Sequence, residues 1–142
     1  MPDFDYVLLA EYVRQDAGMI HIMGAGIDTI NVPPGALPAA VPVGIAVRVL
    51  FTSQDVPGAE HSLHLEFTGP GSEQLLSAIH RFRAPVPQAG MPSTWLTSVG
   101  IAIRIALPIP RLGNYALEAR LDDDPMRLKH LDLRAIAKPP AR

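Results

Sequence analysis

The chain has 142 residues, a formal net charge of −2 and a pI near 6.2, and it contains no cysteine. Its length fits one domain that buries roughly two-thirds of the surface its unfolded chain exposes, so the core does not depend on disulfides or a structural metal. The near-neutral charge excludes a general attraction to nucleic acid or to an anionic membrane surface, and the missing thiols exclude cysteine nucleophiles and cysteine-type zinc sites.

Met1 leads into Pro-Asp-Phe-Asp, which lacks the basic start and apolar block of a secretory signal, and no run approaches the roughly 18 apolar residues of a membrane span. A cytoplasmic protein is the expectation. Charged residues make up 18% of the chain and hydrophobic ones 48%, against about 25% charged in a typical soluble domain. This balance favours a protein that covers part of its surface with copies of itself or with a protein partner.

Fifteen prolines and eleven glycines punctuate the sequence at short intervals, separating apolar runs that alternate with small or polar residues. That rhythm predicts strands and turns. At the N-terminus, Phe4 to Arg14 and Met19 to Met23 flank Gln-Asp-Ala-Gly, where Gly18 supplies the left-handed position of a short hairpin loop. Gly24 and Gly26 permit a bulge or bend, and Ile27 to Val32 reads as a short strand. Four prolines between Pro33 and Pro42 mark an extended connection.

Val43 to Ser53 follows, with Val43, Ile45, Val47, Val49 and Phe51 on one face and Gly44, Ala46, Arg48 and Thr52 on the other. His61 to Thr68 repeats the pattern through Leu63, Leu65 and Phe67. Residues 72–83 fit two readings: a short helix capped by Ser72 with Leu75, Leu76, Ile79 and Phe82 at helical spacing, or a strand returning from the preceding one. A second proline-rich connection runs from Pro85 to Pro92. The longest alternation spans Trp95 to Ile109, which places Trp95 with the inward series Val99, Ile101, Ile103, Ile105, Leu107 and Ile109. A period of two sustained this far is incompatible with an amphipathic helix. Tyr115 to Leu121 is a further strand. The Asp122-Asp123-Asp124-Pro125 turn leads into a last one, Met126 to Ile136, whose phase slips near His130 and Leu131 as a β-bulge would make it do.

Eight or nine strands with two long connections predict an all-β domain, a two-sheet antiparallel β-sandwich, with a β-barrel as the alternative.

Histidines are the candidate bases near neutral pH, and there are five. If residues 72–83 form a strand joined in register through Gly-Pro-Gly-Ser, paired positions sum to 141 and His61 lies opposite His80. Two imidazoles there could share a metal or titrate together. A metal normally takes three or four ligands, however, and Glu66 points to the other face, so the plainer expectation is that both rings cap the rim of the core. The triplet Asp122 to Asp124 resembles a calcium-binding turn, but one turn cannot fill six to eight oxygen positions, and Asp-rich turns before proline have conformational reasons of their own. Met-Gly-Ala-Gly-Ile-Asp has a GxG without the third glycine or a following helix, so it is not a dinucleotide fingerprint. The sequence implies no cofactor.

The small residues Gly44, Ala46, Gly100, Ala102 and Ala106 would form a flat, weakly hydrated outer face on two neighbouring strands. These are the expected interface residues of a self-associating protein.

The run from Tyr6 to Ile30, followed by a proline-rich link and Val43 to Val49, resembles a family of short bacterial proteins with no assigned function. In its members a Leu-Ala-Glu-Tyr strand (Leu9 to Tyr12 here), a glycine turn and a Gly-Ala…Asp…Ile segment open the chain, and a late glycine–tyrosine strand is similar to Gly113 to Tyr115 with one residue inserted. The resemblance implies the all-β architecture and assigns no catalytic residue.

The first functional expectation is therefore a non-enzymatic oligomeric or partner-binding β-sandwich protein. The alternative is a small metal-dependent enzyme or small-molecule-binding protein using His61 and His80. A third is a carbohydrate-binding module stacking sugars on Trp95, Tyr115 and Tyr12, although Trp95 fits a core position better.

Overall fold

The computed structural model describes residues 1–33, 35–92 and 94–139. It is all-β, with nine strands: β1 (Asp3–Asp16), β2 (Met19–Ala25), β3 (Thr29–Val32), β4 (Ala39–Phe51), β5 (Glu60–Thr68), β6 (Gln74–Arg83), β7 (Thr97–Ile109), β8 (Gly113–Leu121) and β9 (Leu128–Ala137). One sheet has the order β2-β1-β4-β7 and the other β3-β9-β8-β5-β6. All neighbours are antiparallel except β3, which runs parallel to β9. No helix among the described residues is long and apolar enough to cross a membrane.

The alternation anticipated from the sequence builds the core. Ile45, Val47, Val49 and Phe51 from β4 meet Leu63, Leu65 and Phe67 from β5 and Leu117, Ala119 and Leu121 from β8, all nearly or wholly buried. Removing that much apolar surface from water is the main force holding the sheets together.

Of the two readings of residues 72–83, the strand is the one the chain adopts, over Gln74–Arg83. Other local expectations need correction. The β5–β6 register sums to 143 rather than 141, because the turn closes between Gly69 and Glu73 and Leu75 is an extra residue on β6, opposite the step from Phe67 to Thr68. The proposed slip in the last strand is absent: β9 pairs with β8 without a shift from Arg120↔Leu128 to Gly113↔Ala135. Leu128 simply faces outward, and Met126 lies in the preceding turn, highly exposed. The first proline-rich connection is shorter than expected, since Pro42 lies inside β4; Pro34 falls outside the described residues.

The β1–β2 hairpin turns at Ala17 and Gly18, both at positive φ, the two-residue geometry whose twist suits antiparallel strands. Beyond Ala10, β1 leaves β4 and stays paired only with β2. The hairpin then lies across the outer face of its own sheet. Val13 packs so closely on Gly44 that a Cβ there would sit 2.7 Å from the Val13 backbone nitrogen, and Ile20 covers Gly100 in the same way. Arg104 Nε donates to the Val13 carbonyl, and Gln15 Nε2 to that of Gly100.

The strand ends divide into two groups. At one end lie the 69–73 and 110–112 turns, closed by polar contacts. Glu73 holds the Arg111 guanidinium at 2.7 Å and accepts from the Gly71 N–H. The Tyr115 hydroxyl donates to the Arg111 carbonyl while accepting from the Arg111 N–H, and the ring stacks on Phe67 at 5.3 Å. At the other end lie the 52–59 loop, the 84–96 connection and the 122–127 turn.

Candidate functional site

The open end holds an apolar pocket of about 210 Å³. Its floor is Phe51, the last residue of β4. One wall is the 52–59 loop, with Thr52, Ser53, Asp55 and Pro57; the other is the connection carrying Ala84, Pro85, Pro87, Met91, Pro92 and Trp95, closed by Thr97 at the start of β7.

Backbone bonds tie the walls together: Gly58 N–H donates to Ala84 O, and Ala84 N–H to Ala59 O. The loop is shaped by Asp55, whose carboxylate accepts from the Thr52 N–H at 2.7 Å and pairs with the Met1 ammonium at 2.8 Å. Burial pushes its pKa up, but the hydrogen bonds from the ammonium and from Thr52 outweigh that and hold the carboxyl below its usual range. Four prolines in the walls have φ already fixed, so the pocket is largely preformed. The same segments expose Val56, Val86, Trp95 and Leu96, each more than half accessible.

Trp95 therefore does not join the core series. β7 begins two residues later, and the turn closed by Trp95 N–H to Pro92 O carries the indole to the pocket rim. Tyr115 is buried and Tyr12 lies on the β1–β2 hairpin with the Arg104 guanidinium 4.5 Å from its ring centre, so the three aromatics do not form one sugar platform.

His61 and His80 are not directly opposed: His61 pairs with Phe82, and His80 with Leu63. The His61 ring packs against Phe51 at 5.5 Å and Phe82 at 5.9 Å, which are themselves 6.4 Å apart. Its Nδ1 is 2.7 Å from Asp122 Oδ2, and since a carboxylate only accepts, Nδ1 carries the proton. Asp122 Oδ1 accepts from the Ser62 N–H. Nε2 is buried without a hydrogen-bond partner, against aromatic carbon. This is a clasp fastening the 122–127 turn to β5, with His80 standing apart and exposed.

The other two aspartates of the triplet are engaged separately, Asp123 with Arg120 and Asp124 with the Met126 N–H and Arg127. Among the described residues no group of three or more histidine and carboxylate side chains could hold a metal ion.

Elsewhere, His130 bridges Glu118 and Asp132 on the outer face of β8 and β9. The hydrogen bond to Asp132 at 2.8 Å, then that to Glu118 at 3.3 Å, raise its pKa above the usual value.

Of the five small residues expected to form an interface, Gly44 and Ala46 are buried under the chain's own hairpin, Gly100 and Ala102 are half-buried beside it, and Ala106 alone is exposed. Small side chains on β4 and β7 thus admit an intramolecular layer at van der Waals distance. Sequence reasoning missed the pocket because its walls are two segments about 30 residues apart, each readable only as a connection. The available signal was the concentration of Pro85, Pro87, Met91, Pro92 and Trp95 in one link.

Fold and pocket together define a β-sandwich with a preformed apolar recess at one end. The chain belongs to a family of unknown function, DUF6941, whose model matches residues 5–134. No curated protein matches it.

Proposed function

We propose that this is a non-enzymatic, partner-binding β-sandwich protein whose open end receives an apolar side chain of another polypeptide. The observation that carries the reading is the coincidence of a rigid apolar pocket with an exposed apolar rim. Exposed apolar residues gathered around a recess mark an interaction surface more often than chance. The pocket's size points to the occupant: at about 210 Å³ it exceeds the roughly 150 Å³ that accommodates a benzene ring yet falls short of the roughly 300 Å³ at which drug-sized ligand sites begin. One anchoring side chain fits inside, while Val56, Val86 and Leu96 lie outside it and call for a larger body pressed against them.

Amide-resolved NMR with N-acetyl-phenylalaninamide and N-acetyl-leucinamide tests this. Saturable shifts confined to residues 51–58 and 84–97, with quenching or enhancement of Trp95, the single tryptophan, are expected at millimolar probe. Shifts scattered over the surface, or none near solubility, would overturn the reading.

A further inference from the structure

Four strands lie at sheet edges: β2, β7, β3 and β6. An edge presents unpaired backbone N–H and C=O groups, and proteins that stay monomeric blunt such edges by shortness, charge, proline or a bulge. Three of these edges are blunted. β3 has four residues, β2 has seven and is bent by the positive-φ Gly24 one residue before its end, and β6 carries the Leu75 bulge with His80, Arg81 and Arg83. β7 is blunted least for its length: it has 13 residues, pairs with β4 without a register shift from Ala39↔Ile109 to Phe51↔Thr97, and bears one charge, Arg104, and one proline, Pro108, next to its last residue.

The backbone parity of β7 can be read from two residues. Pro108 has no N–H, so within a sheet its nitrogen belongs on the unpaired side. Gly100, of the same parity, gives its carbonyl to the Gln15 side chain. The even-numbered residues therefore turn their amides away from β4. That Gln15 contact is exposed, and it is a single side-chain bond that a pairing strand would displace.

We propose that β7 pairs antiparallel with β7 of a second copy, centred on Ile103, joining two four-stranded sheets into one of eight. The occupant is identified by self-complementarity. Centring on Ile103 sets Ala102 against Arg104 and Gly100 against Ala106, all of the outward parity, and forms on the order of ten backbone hydrogen bonds. On the inward side it sets Ile101 against Ile105 and Val99 against Leu107, covering the half-buried Val99, Ile103 and Ile105 with like apolar groups. The lone guanidinium meets an alanine, whereas a register centred on Arg104 would oppose two like charges. A closed two-fold dimer results, since the pairing uses the same edge on both copies. It is independent of the pocket at the sandwich end.

Light scattering and sedimentation of the full chain at micromolar concentration read the assembly directly. A dimer is expected, with Ala106→Pro monomeric and its circular dichroism unchanged, because Ala106 is exposed and its amide faces away from β4. As a second readout, Ile103→Cys supplies one thiol per chain. Oxidation is expected to crosslink it between copies, since residues facing themselves across a non-hydrogen-bonded position have Cα atoms about 4.5 Å apart, whereas Ala106→Cys, set opposite glycine, is expected to stay uncrosslinked. A wild-type monomer, a dimer that survives Ala106→Pro, or equal crosslinking of both cysteine variants would each overturn the proposal.

Discussion

The two ends of the sandwich solve the same problem, closing the strand termini, with opposite materials. The end holding Glu73, Arg111 and Tyr115 is closed by hydrogen bonds and an ion pair between adjacent turns, over a stacked Phe67–Tyr115 pair. The end holding Phe51, Pro57, Met91 and Trp95 is walled by prolines and left open, with Val56, Val86, Trp95 and Leu96 in solvent above the buried Phe51. Glu73, Arg111 and Tyr115 at the first end are bonded to one another and to the neighbouring backbone. Apolar surface at the second is unsatisfied in water, which is a cost to the isolated protein and a driving force for association.

If that contrast holds, the closed end governs stability and the open end binding. The largest effect is expected for Tyr115→Ala, which removes the stacked ring and its hydroxyl and should cost about 3–5 kcal/mol in urea denaturation, leaving probe affinity of the folded protein unchanged. Asp122→Ala tests whether the open end is wholly functional. It strips acceptors from the Ser62 N–H and His61 Nδ1 and places alanine at a positive φ of 52°, and a loss of about 1–3 kcal/mol is expected; a negligible loss would show that the 122–127 turn needs no clasp. Tyr115→Phe keeps the stack and removes only the hydroxyl, for about 1 kcal/mol.

Trp95→Ala should change stability by no more than about 0.5 kcal/mol, as for other exposed positions, while weakening N-acetyl-phenylalaninamide binding at least several-fold by NMR titration. A large stability loss without a binding defect would invert the comparison. The smallest effect comes from pH. His130 has a raised pKa, so its stabilisation is complete below its ordinary value of 6.5 and fades as pH rises through the raised folded value. Solvent screening keeps this to tenths of a kcal/mol. Thermal melts should show a slightly steeper decline across that window than melts of His130→Gln. Glu73 titrates in the opposite sense: the hydrogen bond from its own backbone N–H, then those from Gly71 and Arg111, outweigh desolvation and lower its pKa, so its contribution is lost as pH falls through the folded value.

Strand identity was legible wherever bulky residues alternated: β4, β5, β7 and β8 stand where their periodicity predicts. Gly18 marked its turn correctly. What failed were inferences across a turn. The His61–His80 pairing assumed that a four-residue loop preserves register, and the turn closing between Gly69 and Glu73, together with one bulged residue, Leu75, moved His61 opposite Phe82. Trp95 was misplaced because its odd number matches β7, although the chain becomes strand only at Thr97.

By itself, then, the sequence determined that the chain is all-β, which face of β4, β5 and β8 turns to the core, and that no thiol chemistry is available, because side-chain alternation and composition are local properties. The tertiary structure alone decided that the small face of β4 and β7 lies under the β1–β2 hairpin, that Asp122 fastens His61, and that two proline-rich connections meet around one pocket. Each of these depends on contacts between segments tens of residues apart, whose relative position is set by strand order and register rather than by any pattern within either segment.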